Sequence, residues 1–278
     1  MARTPLLRAA QAHPDIADRH TVHKGRGATF NPANRYETTA TEVWDDGWGV
    51  DPADDAPAVL TRVTLEDARS IVSENTSPDI GFDRSINPYK GCEHGCIYCY
   101  ARPTHAYLGL SPGLDFETRL FAKRNAAELL RRKLRGRNYA PKVIAIGANT
   151  DPYQPVERQH GITRELLKVL ADFRHPFTII TKNAGVLRDL DLLGPLGRDG
   201  LCRVMMSVTS VDPGLSRLME PRASHPQKRL EAIARLTQAG VPTGVMTAPM
   251  IPAINDDQLE RILTSAREAG ADCAGYVA

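Results

Sequence analysis

The sequence predicts an α/β protein whose main body is a parallel sheet built from repeated strand–helix units. Two observations carry this. From Arg84 onward, short apolar runs rich in β-branched residues alternate with stretches of helical periodicity, the rhythm of βα units. The run Val143-Ile144-Ala145-Ile146-Gly147 is apolar at every position, which suits a strand covered by helices on both faces rather than one with a wet side.

Residues 1–80 read as an N-terminal extended arm, partly irregular, and residues 81–278 as the core. The arm holds Gly25-Arg26-Gly27-Ala28, Phe30-Asn31-Pro32 and an acidic run around Asp45, Asp46, Asp51, Asp54 and Asp55. A short helix is expected over Thr64 to Ser70, and His20, His23 and Lys24 are candidates for touching an anionic substrate. In the core, Ser85 to Tyr89 reads as a first strand and Phe116 to Lys123 as an extended stretch. Asn125 to Arg137 reads as a helix with Leu129, Leu130 and Leu134 on one face. Strands follow at Phe177 to Thr181, Arg203 to Val208 and Thr243 to Ala248. Between them lie helices at Thr163 to Phe173, Val186 to Leu193, Pro226 to Ala239 and Asp256 to Ala269, the last two stopped by Gly240 and Gly270. Cys273 to Ala278 begins a sixth strand without its following helix, as expected of a truncated chain, an incomplete gene or a barrel closed poorly on that side.

Composition narrows the class. With 278 residues, 42% hydrophobic and 24% charged, the chain is that of a soluble globular protein with room for one large core. A net charge of +2 argues neither for nor against nucleic acid. No apolar run approaches the ~18 residues of a membrane span, and Met1 to Pro14 lacks the apolar stretch of a secretion signal. Five cysteines, three of them clustered, fit a reducing compartment, so a cytoplasmic location is expected.

The chain is organised around Cys92-Glu93-His94-Gly95-Cys96-Ile97-Tyr98-Cys99-Tyr100. The spacing C-x-x-x-C-x-x-C brings three thiolates to one place, for which a metal or an iron–sulfur cluster is the natural occupant. Structural zinc prefers paired C-x-x-C motifs with a second pair or two histidines, and no second pair occurs, although His94 could serve as a fourth ligand. A [4Fe–4S] cluster held by three cysteines keeps one iron without a protein ligand. Two functions remain open on these residues: an enzyme working at that vacant iron, and a non-catalytic zinc or iron–sulfur protein that binds nucleic acid.

The loop, with an aromatic residue just before its last cysteine, resembles the signature of the radical S-adenosylmethionine (radical SAM) enzymes. The resemblance implies a partial (β/α)6 TIM-type barrel, with Cys92, Cys96 and Cys99 holding a [4Fe–4S] cluster. It also implies S-adenosyl-L-methionine chelated at the open iron and cleaved to a 5′-deoxyadenosyl radical that abstracts hydrogen from a substrate. A reductant such as flavodoxin or ferredoxin would supply the electron. The turn Gly147-Ala148-Asn149-Thr150-Asp151-Pro152, Thr181-Lys182 after the next strand and Ser207 on the one after look like the spore photoproduct lyase branch. By that likeness Thr150, Lys182 and Ser207 contact S-adenosylmethionine.

Further stretches, among them Phe82-Asp83-Arg84-Ser85-Ile86-Asn87-Pro88-Tyr89 and Tyr100-Ala101-Arg102-Pro103-Thr104-His105, are similar to a bacterial lyase-like or DNA-repair-photolyase-like family with no established reaction. One departure stands out. Where the lyase carries the cysteine that returns a hydrogen atom to its product, the match places Ala148. Cys202 and Cys273 sit on expected strands and read as core. Tyr98 and Tyr100 are candidates for shaping the pocket or relaying a hydrogen atom. The basic run Arg131, Arg132, Lys133, Arg135 and Arg137 could meet phosphates of a nucleic acid, or form a solvated helix face.

Overall fold

Six strands lie parallel and side by side in the computed structural model, which describes residues 23, 25–32, 34–36, 59–77 and 81–277. In chain order the strands are β1 (Arg62–Glu66), β2 (Val72–Glu74), β3 (Arg84–Ile86), β4 (Tyr89–Lys90), β5 (Arg119–Lys123), β6 (Ile144–Ile146), β7 (Phe177–Thr181), β8 (Cys202–Ser207), β9 (Thr243–Thr247) and β10 (Cys273–Tyr276). The α-helices are α1 (Leu114–Thr118), α2 (Ala126–Leu134), α3 (Glu157–His160), α4 (Ile162–Asp172), α5 (Leu190–Arg198), α6 (Pro213–Met219), α7 (Pro226–Gln238) and α8 (Leu259–Glu268).

The large sheet runs β10-β9-β8-β7-β6-β3-β2, and within it only β2 is antiparallel to its neighbour. Each new βα unit adds its strand to the same edge, so the sheet winds in one direction as a barrel wall does. This is the partial barrel expected. A smaller sheet, β1-β5-β4, stands apart from it.

Packing follows from side-chain period. On β7, Phe177, Ile179 and Thr181 are buried on one face while Thr178 and Ile180 are half-buried on the other. On α4, Leu166, Leu167 and Leu170 share the apolar stripe and are fully buried, each worth roughly 2 kcal/mol of transfer free energy. Helix α7 begins with Pro226 at its first turn, where the missing N–H costs nothing, and ends at Gly240 in the left-handed region, φ 84°.

Four expectations need correction. The stretch Thr64 to Ser70 is not helical: Arg62–Glu66 forms β1, paired in parallel with β5, and that long-range partner overrides local propensity. Phe116 to Lys123 is extended only in its second half, after α1. The expected first strand is two strands in two sheets, split at Asn87-Pro88, because Pro88 has no N–H to carry one ladder through. Cys202 is core, but Cys273 is exposed, because β10 is the edge of the sheet and pairs only with β9. The acidic run 45–55, His20, Lys24 and Ala278 lie outside the described residues.

Candidate active site at the strand ends

The cysteine loop follows β4 directly and is pinned at both ends. Cys92 N–H donates to the Phe116 carbonyl (2.9 Å) and Ile97 N–H to the Met219 carbonyl (3.0 Å). Gly91 and Gly95 supply the left-handed turns, φ 77° and 68°, that bring the loop back on itself. From above, the arm backbone presses on the loop: a Cβ at Gly27 would lie 1.8 Å from the Gly95 carbonyl oxygen. The buried Glu117 carboxylate clasps the arm, accepting from Gly27 N–H (3.1 Å) and Ala28 N–H (2.9 Å), with Arg102 at 2.5 Å.

Cys92 and Cys96 are buried and Cys99 is half-buried. The His94 backbone N–H is directed at the Cys92 sulfur. Burial, then Asp151, Cys96 and Cys99, raise the Cys92 thiol well above its usual range; burial above all pushes Cys96 up to about 11. Three thiols thus sit close enough for each charge to disfavour the next, and a positively charged iron core is the partner that relieves this. Among the described residues, no three His, Cys, Asp or Glu side chains are gathered as one metal ion needs. Three cysteine thiolates on one short loop are the donors that an iron–sulfur cluster takes. The donor set fits the cluster.

His94 does not complete that set. Its Nε2 accepts from the Asn183 amide at 3.3 Å, and its Nδ1 lies 3.4 Å from an Asp151 carboxylate oxygen. Both ring nitrogens therefore face the strand-end loops. Burial lowers its pKa, so the ring is neutral.

The other candidates fall on successive strand ends. After β6, Asn87 Oδ1 accepts from Asn149 N–H (2.8 Å) and Thr150 N–H (3.3 Å), fixing the turn. The Thr150 hydroxyl donates to the Tyr89 carbonyl at 2.9 Å. Asp151 reaches across to the end of β7, accepting from the Thr181 hydroxyl (2.7 Å) and the Lys182 N–H (2.8 Å). The Lys182 ammonium, inside the protein, donates to the Tyr98 hydroxyl at 2.8 Å and to Glu220 at 3.2 Å. Ser207 closes β8, and its carbonyl accepts from Arg229 at 3.1 Å. Lys182, Tyr98 and Ser207 are thus joined in one network, while Thr150 is tied to Tyr89 beside it. Tyr100 is exposed, and its hydroxyl donates to the Ala148 carbonyl.

Sequence reasoning undervalued two members. Glu220, fully buried, accepts from Tyr98, from the Thr209 hydroxyl (2.9 Å) and from Lys182, and pairs with Arg229 at 2.5 Å. Burial works against its charge, but Lys182 and Arg229 outweigh it and hold the carboxyl well below the usual range. Arg229 sits among Gln227, Lys228 and Glu231 in sequence, where it passes for part of a solvated face. Its spacing from Ala232, Ile233 and Leu236 was the available signal that it points inward.

The basic run lies elsewhere. Arg131 to Arg137 closes α2 and leads into β6, at the strand ends opposite the cysteine loop. Arg131 pairs with Asp172 (2.8 Å) and Lys133 with Glu74 (3.7 Å), while Arg132, Arg135 and Arg137 are exposed. No helix among the described residues is long and apolar enough to cross a membrane.

Comparison with known proteins agrees with this geometry. The radical SAM superfamily model matches residues 86–266. An uncharacterised protein of Mycobacterium tuberculosis is 38% identical over 192 residues, 68% of this chain and 56% of its own. One from Methanocaldococcus jannaschii is 29% identical over 172 residues, covering 62% and 61%. The chain thus spans little more than half the length of the mycobacterial relative. Among solved structures, a spore photoproduct lyase variant superposes with a TM-score of 0.56 at 19% identity, over 77% of this chain and 60% of that one. The lyase complexed with a dinucleoside spore photoproduct gives 0.52 at 19%, over 76% and 58%. These structural likenesses show a shared fold, and the family match, over a cysteine loop set at the mouth of a partial barrel, shows that the chain belongs to the radical SAM superfamily.

Proposed function

We propose that Cys92, Cys96 and Cys99 hold a [4Fe–4S] cluster with one iron free of protein ligands, and that Lys182, Thr150 and Ser207 receive S-adenosylmethionine beside it. A cluster held there would supply the electron for reductive cleavage of the sulfonium to methionine and a 5′-deoxyadenosyl radical, which would take a hydrogen atom from the substrate. The carrying observation is that three thiols stand together on one loop while the ring nitrogens of His94, within that loop, are turned to Asp151 and Asn183. Lys182 has a third N–H to offer after Tyr98 and Glu220, which suits the methionine carboxylate. Tyr98 and Tyr100 flank the last cysteine: Tyr98 supports the lysine, and Tyr100, at the exposed mouth, is the candidate for hydrogen relay.

Nucleic acid is the substrate class we favour, because the lyase of similar fold has been solved with a dinucleoside photoproduct. Ala148 in place of a cysteine argues for a different lesion or a different hydrogen donor. Flavodoxin or ferredoxin is the fitting reductant.

Anaerobic reconstitution followed by iron and sulfide analysis tests the cluster, and dithionite-dependent release of 5′-deoxyadenosine tests the chemistry. Four irons per chain and deoxyadenosine formation are expected, both lost in Cys96→Ala. A fully loaded protein that releases none removes the proposal, as does zinc in place of iron.

A further inference from the structure

We propose that Glu220 is a positioning residue: it holds the Lys182 ammonium where the carboxylate of S-adenosylmethionine is received. The inference rests on the reading of Lys182 given above.

Lys182 reaches the site on a stem of four rotatable bonds, so something must fix its tip. Two contacts do so, the Tyr98 hydroxyl at 2.8 Å and Glu220 Oε1 at 3.2 Å, and the ammonium also lies 5.0 Å from the centre of the Tyr98 ring. Tyr98 is itself held by its hydroxyl donating to Glu220, so both restraints on the lysine trace back to one carboxylate. That carboxylate is in turn fixed by the Thr209 hydroxyl at 2.9 Å and by Arg229. Arg229 is anchored independently through the Ser224 carbonyl (2.6 Å) and the Ser207 carbonyl (3.1 Å).

Lys182, half-buried, and Arg229, fully buried, both pair with the one Glu220 carboxylate. Arg229 touches Glu220 at 2.5 Å, yet neither Arg229 Nη2 nor Glu220 Oε2 has an aligned hydrogen bond. Lys182 keeps one N–H donor beyond those given to Tyr98 and Glu220, free to meet an incoming carboxylate. Without the Glu220 charge the two cations face each other directly, and the flexible one, Lys182, turns away. Glu220 therefore acts on S-adenosylmethionine only through Lys182.

The test is a double-mutant cycle with Glu220→Gln and Lys182→Met on anaerobically reconstituted protein. Binding of S-adenosylmethionine is read by equilibrium dialysis and by the change it makes in the electron paramagnetic resonance spectrum of the reduced cluster. Glu220→Gln keeps the side-chain shape and an acceptor for Tyr98. It should weaken binding about tenfold in the wild-type background and leave it unchanged in the Lys182→Met background, the non-additivity of residues that act as a unit. In deoxyadenosine formation the loss should appear in KM rather than kcat. If Glu220→Gln fails to load iron, Glu220→Asp, which keeps the charge but shortens the reach, replaces it in the same cycle. An unchanged affinity in the wild-type background overturns the inference, and so does an equal loss in both backgrounds, which would mark a merely structural role. A Lys182→Met protein that binds as tightly as wild type overturns the lysine reading itself, and the inference with it.

Discussion

Gly27→Ala is the sharpest perturbation of the contact between the arm and the cysteine loop. The added Cβ would stand 1.8 Å from the Gly95 carbonyl oxygen and 2.8 Å from its carbon, both backbone atoms that cannot rotate aside. The two backbones must separate, and two hydrogen bonds to the buried Glu117 carboxylate stretch with them, from Gly27 N–H (3.1 Å) and Ala28 N–H (2.9 Å). Hydrogen bonds to a charged group contribute about 1.5–3 kcal/mol each, so losing both costs roughly 3–6 kcal/mol locally. Arg102 stays on Glu117 at 2.5 Å, which keeps the realised loss at the lower end, about 3 kcal/mol. For a chain of this size that is a fall of about 6–12 °C in Tm if the arm unfolds with the core. Calorimetry and amide exchange check it, with Gly81→Ala as control, since a Cβ there meets nothing within 4 Å. Faster exchange at 25–28 and 93–97 is expected in Gly27→Ala alone. Unchanged exchange in both segments would refute the reasoning.

Three further outcomes are expected. His105 is buried, with Nε2 donating to the Arg119 carbonyl (2.9 Å) and Nδ1 without a partner, and burial depresses its pKa. The unfolded chain then binds the extra proton more readily, so stability falls as pH drops through the unfolded value near 6.5 toward the lower folded value. His105→Gln should flatten that slope in denaturant midpoints measured between pH 7 and 5, and an unaltered slope counts against it. Glu157 is buried against the Tyr89 hydroxyl, Thr163 N–H (3.1 Å) and Arg188 (2.8 Å); Glu157→Leu strands the Tyr89 hydroxyl and the Thr163 N–H, while Arg188 keeps Asp189, and should cost roughly 2–5 kcal/mol, read as a fall in denaturation midpoint. Replacing Arg132, Arg135 and Arg137 together by Gln should lower the salt dependence of any DNA binding while leaving deoxyadenosine release intact, because α2 ends at the far side of the sheet; lost release would contradict that placement.

The regular parts of the fold were legible because period and punctuation agree there. Phe177–Thr181 is the strand its alternation announces, and Gly240 and Gly270 end their helices. Two of the failures turn on neighbours set by the sheet and not by local sequence. Arg62–Glu66 becomes a strand because β5 lies beside it, and Cys273 is exposed because β10 has a neighbour on one side only. The three-cysteine loop could be read from spacing alone, since the motif is local. The Lys182–Glu220–Arg229 network could not, because its members stand 38 residues apart for Lys182–Glu220 and nine for Glu220–Arg229, and each has an innocent local reading.

The one-directional winding of the large sheet has a consequence for how such a protein diversifies. Each turn of the winding contributes its own short segment to the rim: the cysteines from the first, Asp151 from the second, Lys182 from the third, Ser207 and Glu220 from the fourth. A turn can therefore change in sequence without dismantling what its neighbours offer. Chemistry stays constant at one side of the opening while the opposite side is free to accept a new reactant.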